Sequence, residues 1–146
     1  MTTAARPIGF AVEEAIPPEQ RNKEVARLTR AGFVAGAIEH LMSAPGAEGL
    51  SVVGQFRTAK SAHAEVAFGS KPPAGVKQTY FQVPGIPGAL GFNDTDSQSS
   101  GHNIAFSTGT HYYLVGVGFQ KGMPAPPTQA QLISAAERLY KRAQHA

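Results

Sequence analysis

The 146-residue sequence contains no cysteine. Without thiols the chain can form no disulfide framework, no thiolate metal site and no covalent intermediate on a cysteine nucleophile. Disulfides are the usual sequence clue to an oxidising compartment, so their absence leaves the localisation unknown.

Long apolar runs are also absent. The N-terminal stretch MTTAARPIGFAV lacks the apolar core of about 7 to 15 residues that a secretory signal needs, and no apolar span of about 20 residues occurs elsewhere. We therefore expect a soluble chain with no membrane insertion. It belongs either to the cytoplasm or, as the excised domain of an anchored protein, to the outside of the membrane.

Charge is sparse and scattered. Charged residues make up 16% of the chain, and its 13 Lys and Arg side chains form no run, although the net charge is +3. Nucleic-acid binding favours clustered cations interleaved with exposed aromatics, so we expect no nucleic-acid partner. The sequence also has no Walker loop, no G-x-S-x-G elbow and no H-E-x-x-H helix. We predict no cofactor and assign no catalytic residue.

The residues that are present favour one α+β domain. An apolar fraction of 42% supports a core, while 16 glycines and 11 prolines indicate many turns. Residues Met1–Pro18 read as a flexible or extended arm, with a short extended piece at residues 8–12. Residues 19–146 read as a single α+β domain.

Three segments have helical spacing of apolar residues. The first runs from Pro18 to Ser43 and ends at Pro45-Gly46; its Gly32 and Gly36 indicate either close packing on a sheet or a break near Arg30. A short second helix covers Lys60 to Phe68 after a Thr58 or Ser61 cap, with a strand in a hairpin as the alternative. A C-terminal helix follows the N-cap residue Thr128 and carries Lys141 and Arg142 at its end.

Strand-like segments alternate with turns in the remainder of the chain. They predict an antiparallel sheet of four to five strands, packed by the long first helix, the short second helix and the C-terminal helix. One of the connections between the predicted strands, Asn93 to Gly101, reads as an exposed polar loop. The predicted strands are Leu50–Arg57, Thr79–Val83, Ala89–Phe92, His102–Ser107 and Thr110–Phe119.

The last two strands predict a hairpin whose loop is Thr108-Gly109. In that register Ile104 lies opposite Tyr113, and one face becomes a core. The other face has glycines that leave backbone bare, where either a packed helix or a ligand could lie. A pocket between this second face and the C-terminal helix is the predicted binding site. Its predicted ligand-binding residues are Tyr112, Leu114, Gly116, Gly118 and Asn103.

The Asn93–His102 loop is the alternative chemical site. Asp94, Asp96 and His102 offer carboxylates and an imidazole, and nearby serines complete the residue types of a hydrolytic triad. A calcium loop would need Gly and Glu where Ser99 and Ala105 stand. Aspartates in such a loop also act simply as turn formers whose side chains bond their own backbone. We assign no metal site and keep these three residues as the alternative metal ligands.

The element order and the segments VPGIPGALGF and HNIAFSTGTHYYLVGVG resemble domains of actinobacterial cell-envelope lipoproteins and sensor proteins, of the LpqN-type or PsbP-like α/β/α sandwich. The likeness covers Arg27 to Arg142, and its motifs are turns and strand patterns. The sequence departs from these domains in lacking a signal peptide and a lipidation cysteine. The resemblance implies binding of a ligand or partner outside the membrane, and it transfers no catalytic residue.

These observations predict a non-enzymatic binding or sensing module for a small apolar ligand, an envelope component or a protein partner. One alternative is a hydrolase or metal-dependent enzyme centred on the Asn93–His102 loop. Another is a structural assembly subunit that uses its arm and an exposed sheet edge. The sequence does not determine the oligomeric state.

Overall fold

The structure of the chain is a computed structural model that describes residues 17–68, 71–72 and 74–146. The predicted N-terminal arm lies outside these residues apart from its last two positions. A short 3-10 helix at Pro18–Gln20 begins the described chain, with proline at its first position. The further elements are α1 (Arg21–Ala31), β1 (Phe33–Ala44), β2 (Ala47–Phe56), α2 (Ala59–Phe68), β3 (Lys77–Phe81), β4 (Leu90–Thr95), β5 (Ser99–Thr108), β6 (His111–Gln120) and α3 (Gln129–Gln144).

The six strands form one antiparallel sheet in the order β1-β2-β6-β5-β4-β3. The α+β class is as expected, but the sheet has six strands where four to five were predicted. The additional strand is β1, which occupies the second half of the segment predicted as one long helix.

The long first helix was wrong beyond residue 31. Gly32 adopts φ 80° and caps α1, donating its backbone N–H to the carbonyls of Leu28 and Thr29. A residue with a side chain is costly in this left-handed conformation, so glycine ends the helix here. The next residues pair with β2 instead, for example Ile38 with Val52. Pro45-Gly46 is therefore the turn of a β-hairpin and not the end of a helix.

The other two helices match the prediction closely. Ser61 donates its backbone N–H to Thr58 Oγ1 at 3.1 Å, which caps the start of α2. Thr128 Oγ1 accepts the N–H of Gln131 at 3.2 Å, and the Gln131 side chain accepts the Thr128 N–H at 3.0 Å. This capping box fixes the start of α3.

The predicted polar loop at Asn93–Gly101 was wrong in extent. Its first three residues continue β4, and β5 already begins at Ser99. The turn that joins them is short because Asp96 Oδ1 accepts two backbone N–H groups, from Gln98 and Ser99, at 2.8 Å each. The interpretation of an aspartate as a turn former is confirmed for Asp96.

The β5–β6 hairpin exists with a register two residues away from the predicted one. Thr108 lies opposite His111, so the loop is Gly109-Thr110 and Ile104 lies opposite Val115. A shift of two residues keeps each side chain on its predicted face, since the side-chain period of a strand is two. The predicted division of this hairpin into two faces is therefore unchanged.

Helices cover both faces of the sheet. The first, which we call the Tyr112 face, is packed by α1 and α2 through Leu28, Ala62 and Val66. The second, the Phe106 face, is packed by α3 through Leu132 and Ala136. The sheet residues buried on the Tyr112 face are Phe56, Phe92, Ala105 and Tyr112, and those on the Phe106 face are Ile104, Phe106 and Val115.

Candidate functional site

An apolar groove lies at one end of the Phe106 face, between α3 and the strands. Its volume is about 360 Å³. Alanine, valine, leucine, methionine and proline side chains form most of its wall, and Thr128 and Gln131 at the start of α3 supply polar groups. The lining residues are Ala44, Ala47, Val117, Met123, Ala125, Pro127, Thr128, Gln131, Leu132 and Ala135.

One wall of this groove is the connection between β6 and α3. We call residues 122–127 the strap. Ala125 in the strap has φ 49°. Among the residues that the structure describes, it is the single non-glycine residue with a positive φ. An L-residue held in this left-handed region stores backbone strain of about 1 to 2 kcal/mol. Such strain is found preferentially where a chain segment must take a particular position at a functional site.

The strap is attached to the sheet at both ends. At its start, Lys121 donates its backbone N–H to Gln98 O at 3.0 Å, and Lys121 Nζ donates to the carbonyl of Asp96. At its end, the strap leads into α3, where Gln129 Nε2 donates to Asn93 Oδ1 of β4 at 3.1 Å. The β4–β5 turn and an asparagine of β4 thus hold the two ends of this wall.

His102 belongs to a polar network at the start of α3. Its Nδ1 lies 2.7 Å from Asn93 Oδ1, and Gln129 Nε2 donates to the same oxygen at 3.1 Å. Asn93 Nδ2 donates in turn to Thr79 Oγ1 at 3.1 Å. Burial lowers the pKa of His102 below its usual range, and the polar carbonyl of Pro127 opposes that effect only in part.

The predicted ligand-binding residues occupy the Tyr112 face. Tyr112 is only 6% exposed because α1 and α2 pack above it, and Leu114 packs against the same core. Asn103 lies across Gly116, where a Cβ would collide with its Oδ1, while a Cβ at Gly118 would meet no atom within 4 Å. The helix alternative therefore holds for the half of this face around Tyr112.

The C-terminal helix α3 lies on the face of the sheet opposite to the one on which the pocket was predicted. The C-terminal helix α3 does border a groove with the sheet, but it packs on the Phe106 face. The residue of β6 that lines the groove is Val117, which alternates with Gly116 and Gly118 along the strand. No sequence signal showed which face α3 would cover, because both faces of β6 carry apolar residues.

The residues of the alternative chemical site do not converge. Asp94 lies opposite Gly101, and His102 is the next residue of that strand, so the two side chains point to opposite faces. Asp94 accepts from Gln78 Nε2 at 2.9 Å, and Asp96 caps its turn. Among the described residues no group of three His, Cys, Asp or Glu side chains could hold a metal ion.

A charged cluster that sequence reasoning missed joins the two helices on the Tyr112 face. Arg27 of α1 donates to both oxygens of Glu65 in α2, at 2.8 Å each, and also to Glu24. Burial by itself lowers the pKa of Arg27, but the hydrogen bonds and charges of the two glutamates outweigh it and raise that pKa. The guanidinium also lies 3.9 Å from the ring centre of Phe68.

Comparison with known proteins finds a solved structure with a similar fold. No protein-family model and no curated protein matches the chain. The chain is similar to a solved structure, the extracellular domain of PknH from Mycobacterium tuberculosis, with a TM-score of 0.54 and 15% sequence identity. The match covers 99% of this chain and 82% of that one. The chain therefore shares an α+β architecture with an extracellular domain, in loose agreement with the resemblance drawn from the sequence.

The described helices are too short or too polar to cross a membrane.

Proposed function

We propose that the chain is a non-enzymatic binding module that takes a small apolar molecule into the groove between α3 and the Phe106 face. The observation that carries this proposal is a groove of about 360 Å³ with a mostly apolar wall. Ligand sites in proteins are typically concave, apolar and about 300 to 1,000 Å³ in volume. The groove meets these criteria at the lower end of the size range.

The polar groups at the groove favour a ligand that is apolar over most of its surface. Thr128 and Gln131 already use their side chains in the capping box of α3. Met123 in the strap is flexible and polarisable, a property that suits contact with apolar ligands of irregular shape. Affinity would therefore come mainly from burial of apolar surface.

The likeness to an extracellular domain supports a location outside the membrane, where an envelope component would be an accessible ligand. The residues first predicted to bind the ligand remain a second candidate surface. Asn103 and Gly118 lie on the Tyr112 face beyond Tyr112, and Gly118 is exposed.

The test is to fill the groove with one side chain. Ala135 lines the groove, whereas Ala130 of the same helix is exposed. We expect Ala135→Phe to weaken binding of the neutral fluorophore N-phenyl-1-naphthylamine by about tenfold or more, because the new ring takes the volume that the probe would occupy. Fluorescence titration of the purified protein measures the dissociation constants.

Ala130→Phe is the matched control, and it should leave the dissociation constant within about twofold of the original. Equal binding by the two variants would place the probe elsewhere on the protein. Native mass spectrometry of the purified chain adds an independent check, since a ligand retained by the unmodified protein should be lost from Ala135→Phe. Failure of the unmodified protein to bind the probe would contradict the proposal.

A further inference from the structure

Five exposed cations lie at the end of the sheet where β5 turns into β6. They come from three separate parts of the chain, at the end of α1, at the junction of β2 with α2, and at the end of α3. In the sequence these charges are scattered, so only the fold brings them to one end. We call them the cationic end: Arg30, Arg57, Lys60, Lys141 and Arg142.

The corner after β2 places the first three cations. The last residue of β2 donates its N–H to Thr110 O at 2.8 Å, so this end of β2 lies against the loop of the β5–β6 hairpin. Arg57 comes next and donates its N–H to Gly32 O at 2.9 Å, which brings in the last turn of α1 with Arg30. Lys60 is the second residue of α2, which starts from the same corner.

The other two cations belong to the last turn of α3. This helix begins beside β4, to which its first residue donates a side-chain hydrogen bond at 3.1 Å. Near its end the ring centre of Tyr140 lies 5.7 Å from that of Phe106, which is two residues from the end of β5. The helix therefore runs toward the β5–β6 loop, and its last cations reach the same end of the sheet as the first three, from the opposite face.

No carboxylate in these segments offsets the positive charge. Residues 28–33, 55–64, 104–115 and 138–146 contain no Asp or Glu. Glu137 of α3 is directed to the β3–β4 connection, where a Cβ on Gly85 would come 2.8 Å from its Oε1. Within the described part of the chain, no carboxylate forms an ion pair with any of the five cations. The opposite end of the sheet carries both signs, for example Asp96 and Lys121.

Stability of the helices explains only some of these charges. A cation in the last turn of a helix is stabilised by the helix dipole, which suits Arg30, Lys141 and Arg142. Arg57 and Lys60 occupy the other pole, because they precede and enter the first turn of α2, where the dipole favours acidic residues. Two cations at a helix start lower its stability, so their presence points to a negatively charged partner.

The form of the cationic end favours a lipid surface over other anions. None of its side chains lines the groove or the hollow beside the β3–β4 connection, so these cations present a surface and not a cleft for a small anion. Among the described residues, the exposed rings that could stack on nucleic-acid bases are Phe68 at the end of α2 and Tyr80 in the edge strand β3. Spread cations with an exposed apolar neighbour, Val34 near the start of β1, suit a bilayer of anionic head groups.

We propose that the cationic end docks the protein on an anionic phospholipid bilayer, with the strands upright on the membrane surface. The phosphates of the head groups supply the negative charge that these five side chains do not find in the described part of the chain. The groove lies at the other end of the Phe106 face, so it stays open to water in this orientation. Docking needs no ligand in the groove and is independent of the function proposed above.

Sedimentation with lipid vesicles tests the docking on the whole purified chain. We expect binding to vesicles of phosphatidylcholine with about 30% phosphatidylglycerol, and no binding to pure phosphatidylcholine, because the attraction needs anionic lipid. Raising the salt concentration from about 0.1 M to about 0.5 M should abolish binding, since it screens the charges. No binding to anionic vesicles, or binding that is indifferent to lipid charge and salt, would overturn the proposal.

Two variants of equal net charge locate the contact. Lys60→Gln/Lys141→Gln removes two positive charges from the cationic end. Lys77→Glu makes the same change in net charge at the opposite end, where Lys77 pairs with Thr95. We expect the first variant to weaken vesicle binding by about tenfold or more, and the second by less than about threefold. Equal losses would show that binding follows net charge and that the cationic end is no docking surface.

A measurement on the unmodified protein keeps the test independent of how the variants fold. With anionic vesicles, hydrogen exchange should slow by about threefold or more at residues 57–60 and 108–111, and it should not change at residues 94–98. Protection confined to residues 94–98 would place the membrane contact at the wrong end. A DNA duplex of about 20 base pairs that binds more tightly than the vesicles at the same salt concentration would identify a nucleic-acid partner and also overturn the proposal.

Discussion

At the scale of single residues, Glu65 is a buried carboxylate that is stabilised by its ion pair with Arg27. It is 8% exposed and lies beneath α1, where Arg27 binds both of its oxygens. Its negative charge also adds to the effect of burial in raising the pKa of Tyr112. A buried charge of this kind is tolerated because its partner is fixed in place.

We therefore expect Glu65→Gln to lower the free energy of unfolding by about 2 to 3 kcal/mol, since Arg27 loses its buried counter-charge. Urea denaturation followed by circular dichroism measures the change. Glu48→Gln is the control: Glu48 pairs with His40 at 2.9 Å, but both side chains are more than half exposed. Such a surface pair is worth at most about 1 kcal/mol. Similar losses in the two variants would mean that the Arg27 cluster does not stabilise the fold.

At the scale of secondary-structure elements, Gly32 decides where α1 ends and β1 begins. Its φ of 80° satisfies the last carbonyls of α1 and directs the chain into the sheet. Arg57 N donates to Gly32 O at 2.9 Å, which ties this corner to the residue after β2. The break between helix and strand is therefore a backbone feature that one residue controls.

Gly32→Ala should lower the free energy of unfolding by about 1 to 2 kcal/mol. The cause is conformational strain and not a collision, since a Cβ at this position would come no closer than 3.5 Å to Arg57. Gly118→Ala provides the comparison, as its Cβ would meet nothing within 4 Å, and it should change stability by less than about 0.5 kcal/mol. Chemical denaturation of both variants tests the difference. An unchanged midpoint for Gly32→Ala would argue against glycine as the cause of the helix end.

At the scale of the whole molecule, one sheet carries two cores. The Tyr112 face is closed by α1 and α2, and the Phe106 face is closed by α3. The same strands contribute side chains to both cores. Unfolding of the core on one face would therefore disrupt the sheet on which the other core packs. The two layers should consequently unfold together.

Leu28 and Leu132 allow a matched test, since they are 9% and 8% exposed and lie in opposite cores. We expect Leu28→Ala and Leu132→Ala each to cost about 2 to 4 kcal/mol through lost burial and an unfilled cavity. Both should also lower the midpoint of one shared thermal transition, observed equally by near-UV and far-UV circular dichroism. Two separate transitions, each moved by only one of the two variants, would show that the faces unfold independently.

The sequence predicted well those features that depend on neighbours in the chain. The Thr128 cap, the Asp96 turn and the alternating faces of β5 and β6 all follow from contacts within a few residues. The register of that hairpin was two residues off because both Thr108-Gly109 and Gly109-Thr110 contain a glycine that can turn the chain.

Features that need a distant partner could not be read from the sequence. Residues 33–44 have helical spacing, yet they form a strand because β2 supplies an antiparallel ladder along most of their length, with an irregularity near each end. The groove likewise depends on α3 lying over Val117 and not over Gly116. Both sides of β6 can accept a helix, so only packing of the whole chain selects between them.

By itself, then, the sequence determined the α+β class, the local caps and turns, and the exclusion of cysteine chemistry, because these follow from residue identity and short-range geometry. The tertiary structure decided the sixth strand, the burial of Tyr112, and the network that joins His102 and Asn93 to Gln129 at the start of α3. These arise from contacts between segments far apart in the chain, and their free energy appears only when the sheet and helices are assembled.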